Sequence, residues 1–206
     1  MQRADCCKTH FNIGSKSLCG EGSAGWFYAS LAARGGHGQS VITRLRAMAS
    51  NHDQALMREA IRLMRDAGVV NKTGGPFGAV VAKDGQVVAA AGNSVVRDLD
   101  PSAHAEVNAI RAACKKLGTW DLSGCVMYTS CECCPMCYAT AYWAGIRTVF
   151  YAASWSDYSD LFSDQEINED MQNPKDKREI KLTQLLQGEA CEVWKEFRLL
   201  PDGARY

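Results

Sequence analysis

The sequence predicts an α/β domain, and three observations predict it. Asp84-Gly85 lies between two β-prone runs and marks an antiparallel hairpin. A short apolar run at Cys125–Thr129 leads straight into a helix and then a second run at Thr148–Ala153, the order of a βαβ unit with parallel strands. Apolar residues Leu56, Ala60, Leu63, Met64 and Ala67 recur at helical spacing. Strands and helices mixed on one sheet give an α/β sandwich. With 206 residues, 47% of them apolar, the chain can bury one core with an appendage, and no second domain is needed.

Residues 1–47 read differently from the rest. They carry six basic and two acidic residues, with clusters such as Gly20-Glu21-Gly22-Ser23 and Arg34-Gly35-Gly36-His37-Gly38, and no sustained periodicity. That composition predicts disorder. A mis-assigned start, with the natural one at Met48, is preferred over a targeting segment, for which no clear amphipathic run or cleavage signal speaks, and over a small functional extension. His10, His37 and Cys6-Cys7 are read as solvated side chains. The domain is expected to occupy 48–206.

From Ser50 or Asn51 as N-cap, an amphipathic helix runs to a stop at Gly68. Asn71 to Pro76 is a turn-rich loop, followed by strands at Phe77–Lys83 and Gln86–Ala91. Asn93 to Pro101 is a polar loop, and Ser102 or its neighbour opens a helix with His104 and Glu106 in its first turn and Ala109, Ile110 and Ala113 packing. The strand Cys125–Thr129 delivers a cysteine cluster to the next helix, where Pro135 suits the first helical position because its missing N–H is not needed there. That helix runs to about Gly145. Trp155–Asp164 is aromatic and acidic. Gln187–Leu199 reads as a final helix with Ala190, Val193, Trp194 and Phe197 on one side. No internal repeat is present.

The formal charge is zero, from 23 basic and 23 acidic residues. Removing those of 1–47 leaves 17 basic and 21 acidic, a net charge of −4, which weakens any claim on a polyanionic partner such as nucleic acid. No continuous apolar run is long enough to span a bilayer, so no membrane association is expected. A soluble, cytoplasmic protein is the expectation.

Four of the ten cysteines crowd into 131–137, which favours a metal over a disulfide framework. Cys134 and Cys137 have the C-x-x-C spacing that presents two thiolates to one ion, and His104 can complete a three-ligand zinc site with its fourth position left for water. Near a helix N-terminus, the dipole favours thiolate and the i, i+3 spacing puts both sulfurs on one face. Cys131 and Cys133 keep open the alternative of a structural zinc closed by a fourth sulfur. A structural site, however, gives no reason for a carboxylate two residues from a ligand. As general acid and base, Glu106 would take a proton from water, pass it to a ring nitrogen and help the amine leave as ammonia. His-x-Glu followed by Cys-x-x-Cys is close to the signature of zinc deaminases, with Cys133 standing where that signature has Pro.

From Asn51 to Tyr206 the chain resembles the cytidine deaminase superfamily, and within it most resembles the guanine deaminases. The residues that carry this are Gly74-Gly75-Pro76-Phe77-Gly78-Ala79-Val80, Asn93, Asp100 to Val107, Tyr128 through Cys137, and Tyr142-Trp143. The resemblance implies a three-layer sandwich with a central, mixed five-stranded sheet flanked by helices, the fifth strand falling around Glu179–Leu185. It also implies one Zn2+ per subunit and a homodimer that exchanges its C-terminal segment. Asn93 matches the base-contacting Asn and Tyr206 a C-terminal Tyr that closes the site; Phe77 and Trp143 could line or stack on a flat heterocycle. In the guanine deaminases an acidic pair follows the fourth strand, and its second member assists proton transfer. Here that position falls on Gln165, so either Asp164 takes the role by a one-residue shift or the substrate is not guanine; Asp157 and Asp160 are further acids in the run.

The expected activity is hydrolytic deamination of an amino-substituted nucleobase or related heterocycle, guanine to xanthine plus ammonia leading. The alternatives are guanosine, cytosine, isocytosine or tRNA adenosine, and, from another class, a non-catalytic module built on structural zinc. Phe197 to Tyr206 lacks the helix-borne basic tail of a tRNA deaminase.

Overall fold

The structure, a computed structural model, describes residues 50–204; what the sequence predicts for residues 1–47 and for Tyr206 lies outside them. Helix α1 (Asn51–Arg65) begins at a reciprocal cap. Ser50 Oγ accepts from the Asp53 N–H at 3.1 Å while Asp53 Oδ2 accepts from the Ser50 N–H at 2.7 Å, so two donors that the helix leaves unpaired are satisfied. The other carboxylate oxygen accepts from the Tyr128 hydroxyl at 2.5 Å and ties the helix start to the sheet.

The Tyr128 hydroxyl, and after it Ser50, holds the Asp53 carboxyl below its ordinary value of 3.8. A depressed folded-state pKa contributes stability that is present above 3.8 and is lost as pH falls through the folded value. Asp53→Ala is therefore expected to cost about 1–2 kcal/mol at neutral pH. In urea unfolding, the gap from wild type should narrow below pH 3.8. A gap that stays constant with pH would show that the carboxylate charge contributes nothing.

The sequence predicts a stop at Gly68, but the helix continues through it as a π-helical turn, Asp66–Val70. Gly68 serves packing instead. A β-carbon there would lie 2.6 Å from the Pro76 Cα, so only glycine lets the following loop fold back against the helix end.

Strands β1 (Gly78–Lys83) and β2 (Gln86–Gly92) form the expected hairpin. Asp84 and Gly85 both take positive φ, 49° and 76°, the backbone that a two-residue turn needs to follow the strand twist. A short helical turn, α2 (Val95–Asp98), lies in the polar loop after β2. Helix α3 (Ala105–Leu117) starts later than the sequence predicts, because Asp100 Oδ1 accepts from both the N–H and the hydroxyl of Ser102 and holds 100–102 as a turn. Strand β3 (Cys125–Cys131), helix α4 (Pro135–Trp143) and strand β4 (Thr148–Ala153) complete the βαβ unit, with β3 and β4 parallel. Helix α5 (Asp164–Gln172), which the sequence did not reveal, and helix α6 (Gln187–Leu199) follow.

The sheet runs β2-β1-β3-β4. Strand alternation sorts its side chains to two faces. Ala79, Val81 and Met127 pack with Ala105, Ala109, Ile110 and Ala113 of α3, while Val80, Ala82 and Tyr128 pack with Leu56 and Ala60 of α1. The result is three layers: α1, the sheet, and α3 with α4. Among the described residues the sheet has four strands, not five. Residues 181–186 pair with no strand among the described residues, and β4 is left at an exposed edge of the sheet they form. Among the described residues, no helix is long and apolar enough to cross a membrane.

Candidate active site

Three segments converge at one end of the sheet: the start of α3, the β3–α4 junction and the chain between β4 and α5. His104 and Cys134 occupy equivalent places, each the extended residue just before a helix, at φ −67°, ψ 153° and φ −65°, ψ 165°. Such positions usually hold a Ser, Asp or Asn whose side chain caps the helix. Neither His104 nor Cys134 caps its own helix. Their side chains turn to each other: His104 Nδ1 lies 3.6 Å from Cys134 Sγ and 3.5 Å from Cys137 Sγ. Pro135 takes the first-turn position that the sequence predicts.

The ligand atoms of His104, Cys134 and Cys137 all lie within 4.8 Å of one another. The Cys134 thiol is pushed down to about 4, chiefly by a hydrogen bond from Cys137 and then by His104, against the opposing effect of burial. Cys137 is pushed up, because it keeps the proton that stabilises its neighbour and because it is buried. The hydrogen bond with Cys134 raises the His104 imidazole. Two sulfurs and one imidazole nitrogen, with one sulfur already favouring thiolate, fit a zinc ion and leave a fourth position.

Cys131 and Cys133 stand outside this group. Cys131 is buried at the end of β3, opposite Ala153, and burial pushes its thiol up to about 11. Cys133 packs against Val107 and the α3–α4 side of the core. Burial raises its thiol too.

Glu106, the second residue of α3, is 3% exposed. Its Oε1 accepts from the Thr129 hydroxyl at 3.0 Å, and its Oε2 lies 3.5 Å from Cys137 Sγ. Burial raises its pKa above the ordinary carboxylate range.

These side chains open on a cavity of about 220 Å³ that Phe77, Asn93 and Asp164 also line. Asn93 is buried, and its side-chain oxygen accepts from the Val95 N–H at 3.1 Å. The amide NH2 makes no hydrogen bond among the described residues. A β-carbon on Gly74 would fall 1.9 Å from Asn93 Oδ1, so glycine there is what admits Asn93. The Phe77 ring meets Phe162 edge-on at 4.9 Å between centroids, and both line the cavity.

Asp164 lines the cavity, whereas Gln165 points along α5 and donates to Glu169 at 2.8 Å. Burial, then the charge of Cys134, raises the Asp164 carboxyl, and the Tyr158 hydroxyl opposes the shift. Asp157 caps the turn after β4 through Ser154, and neither it nor Asp160 lines the cavity. Trp143 lies exposed at the end of α4 with its ring edge-on to Tyr142 at 6.1 Å, away from the cavity lining.

Thr129, Glu132, Tyr158 and Phe162 belong to the site or support it, and the sequence did not single them out. Thr129 was within reach: strand alternation from Cys125 and Met127 puts it on the face of α3, where Glu106 lies. Glu132 lies within the cysteine stretch itself, and Tyr158 and Phe162 depend on how the chain after β4 folds back, for which no local signal exists.

Residues 50–153 match the cytidine and deoxycytidylate deaminase zinc-binding region. The chain is 44% identical over 151 residues to a guanine deaminase of Bacillus subtilis, covering 71% of this chain and 96% of that one. It is 33% identical over 141 residues to a tRNA-specific adenosine deaminase of Aquifex aeolicus, covering 68% and 87%. Its fold is similar to the X-ray structure of guanine deaminase from Bacillus subtilis, with a TM-score of 0.72 and 40% identity over 76% of this chain and 99% of that one.

Proposed function

As a member of the cytidine and deoxycytidylate deaminase family, to which this chain belongs, we propose that it is a zinc-dependent hydrolase that deaminates a nucleobase, converting guanine to xanthine and ammonia. The observation that carries the reading is Glu106, a buried carboxylate beside a three-ligand group at the floor of a small cavity. His104, Cys134 and Cys137 would hold a zinc ion, which would supply Lewis acidity and lower the pKa of a water toward neutrality. Glu106 accepts one proton of the attacking water and gives it to the adjacent ring nitrogen, then takes the remaining proton of the added hydroxyl and gives it to the amine, which leaves as ammonia as the carbonyl forms. Asn93 donates its free amide N–H to an acceptor on the base, and Phe77 with Phe162 borders the flat ring. Asp164, the acid that lines the cavity, assists proton transfer in place of residue 165.

Guanine is favoured over tRNA adenosine by two points. The guanine deaminase relative is the more similar of the two, and residues 48–206 carry a net charge of −4, which suits a small base better than a polyanion. An ammonia-release screen of guanine, guanosine, cytosine, isocytosine, adenine and pterins tests the reading. Guanine should be the preferred substrate. Turnover of tRNA alone, or of nothing by zinc-loaded protein, overturns it.

Thr129→Val keeps the shape of the side chain but removes the donor that fixes Glu106. It is expected to lower kcat about tenfold with KM little changed, because the lost bond orients the proton carrier and not the base. Steady-state kinetics on the active base checks this, and a rise in KM alone would contradict it.

The proposal extends to the assembly and the cell. A cytoplasmic homodimer that exchanges C-terminal segments would cover Leu182 and Leu185 and the exposed Val193 and Trp194 of α6, and would supply the fifth strand beside β4 from about 179–185. Trp143 would then serve the assembly, and Tyr206 would close a site. Light scattering should give the mass of two chains; a monomer would exclude the exchange. Residues 1–47 are proposed to lie outside the catalytic unit.

A further inference from the structure

We infer that Tyr158 is the positioning residue that sets Asp164 in the cavity, so that its hydroxyl determines which acid of the segment after β4 reaches the substrate. The inference rests on the deaminase reading above and deepens it.

The Tyr158 hydroxyl lies 3.1 Å from Asp164 Oδ2 and 3.4 Å from the main-chain oxygen of Glu132. A phenol has one proton, and the shorter, charge-assisted bond is the one to the carboxylate. Among the described residues this is the only hydrogen bond that Asp164 receives at its carboxylate, and it engages one oxygen. The second oxygen remains for a substrate.

The ring itself is held. Its centroid lies 5.7 Å from Phe77 and 6.3 Å from Phe162, edge-on to both. Its main chain follows the tight turn Trp155–Asp157, which Ser154 and Asp157 cap reciprocally, and its carbonyl accepts from the Leu161 N–H at 3.0 Å. A fixed ring gives its hydroxyl a fixed position. Burial keeps the phenol protonated well above its ordinary pKa of 10, so it remains a donor.

This arrangement accounts for the displaced acid. Asp164 opens α5 after a residue that makes no side-chain cap, so nothing in the helix start holds its carboxylate. Gln165, one residue on, has its amide engaged with Glu169. Without the hydroxyl, Asp164 has no bond to keep it from turning to solvent.

Tyr158→Phe removes only the hydroxyl and keeps the ring packing. On the base that the wild type deaminates, kcat is expected to fall about tenfold to a hundredfold, the effect of misplacing a reacting group by an ångström. KM should change by less than about threefold, with zinc content and Tm as in the wild type. Asp164→Asn should cost at least as much, and the double variant no more than Asp164→Asn alone, because the hydroxyl acts only through that carboxylate. A Tyr158→Phe enzyme with wild-type kcat overturns the inference. So does a double variant whose losses multiply, or an Asp164→Asn enzyme without a defect. A wild type that is active while Tyr158→Phe is unaffected removes this inference alone, whereas a wild type that releases ammonia from no base removes the deaminase reading and the inference with it.

Discussion

Glu106→Gln is expected to lower the rate of deamination by about 10³-fold or more, with zinc content unchanged. Glutamine has the same shape and can still accept from the Thr129 hydroxyl through its amide oxygen, so the side chain should stay where Glu106 now lies, at 3.0 Å from Thr129. What it loses is the ability to accept a proton from water and return it to the base. Because Glu106 is 3% exposed, bulk water is poorly placed to take over that transfer. Single-turnover product formation, with zinc measured on the same samples, separates loss of chemistry from loss of metal. A variant with one zinc per chain and a near-wild-type rate would remove Glu106 from the mechanism.

The second large effect concerns the metal ligands. Cys134→Ala should abolish both zinc binding and activity, and should also uncouple stability from zinc. Cys134 carries the lower thiol pKa of the pair, about 4, and its hydrogen bond with Cys137 is lost with it. Folding binds metal that the unfolded chain does not, so wild-type Tm should climb with added zinc, by the equivalent of about 4 kcal/mol at a thousandfold excess over Kd. The Tm of the variant should not move. If Cys134→Ala binds zinc as tightly as the wild type, Cys131 or Cys133 is a ligand and the site is not the open three-ligand group described above.

Much of this was legible in the sequence because its signals are local. Asp84-Gly85 dictates a turn whichever strands flank it, and His104, Cys134 and Cys137 are recognisable because metal binding demands particular atoms at short spacings. Their clustering within 4.8 Å follows from two helices that begin where those residues stand. The opaque features depend on distant parts of the chain. Gly68 looks like a helix stop and acts as a contact for Pro76. Helix α5 is acidic, and with Ile167 and Met171 as its only large apolar residues it shows little helical periodicity. Asp164 and Gln165 differ by one position, and which of them lines the cavity depends on how the chain after β4 folds. The fifth strand predicted around Glu179–Leu185 is not decided locally either, since pairing beside β4 is a property of whatever lies against that edge.

The most direct measurement is the mass of the purine recovered after incubating zinc-loaded protein with guanine in water enriched in oxygen-18. Hydrolytic deamination at this site predicts xanthine that carries one heavy oxygen in place of the amino group, with one ammonia released per xanthine. Guanine recovered unchanged from protein that holds one zinc per chain would contradict it.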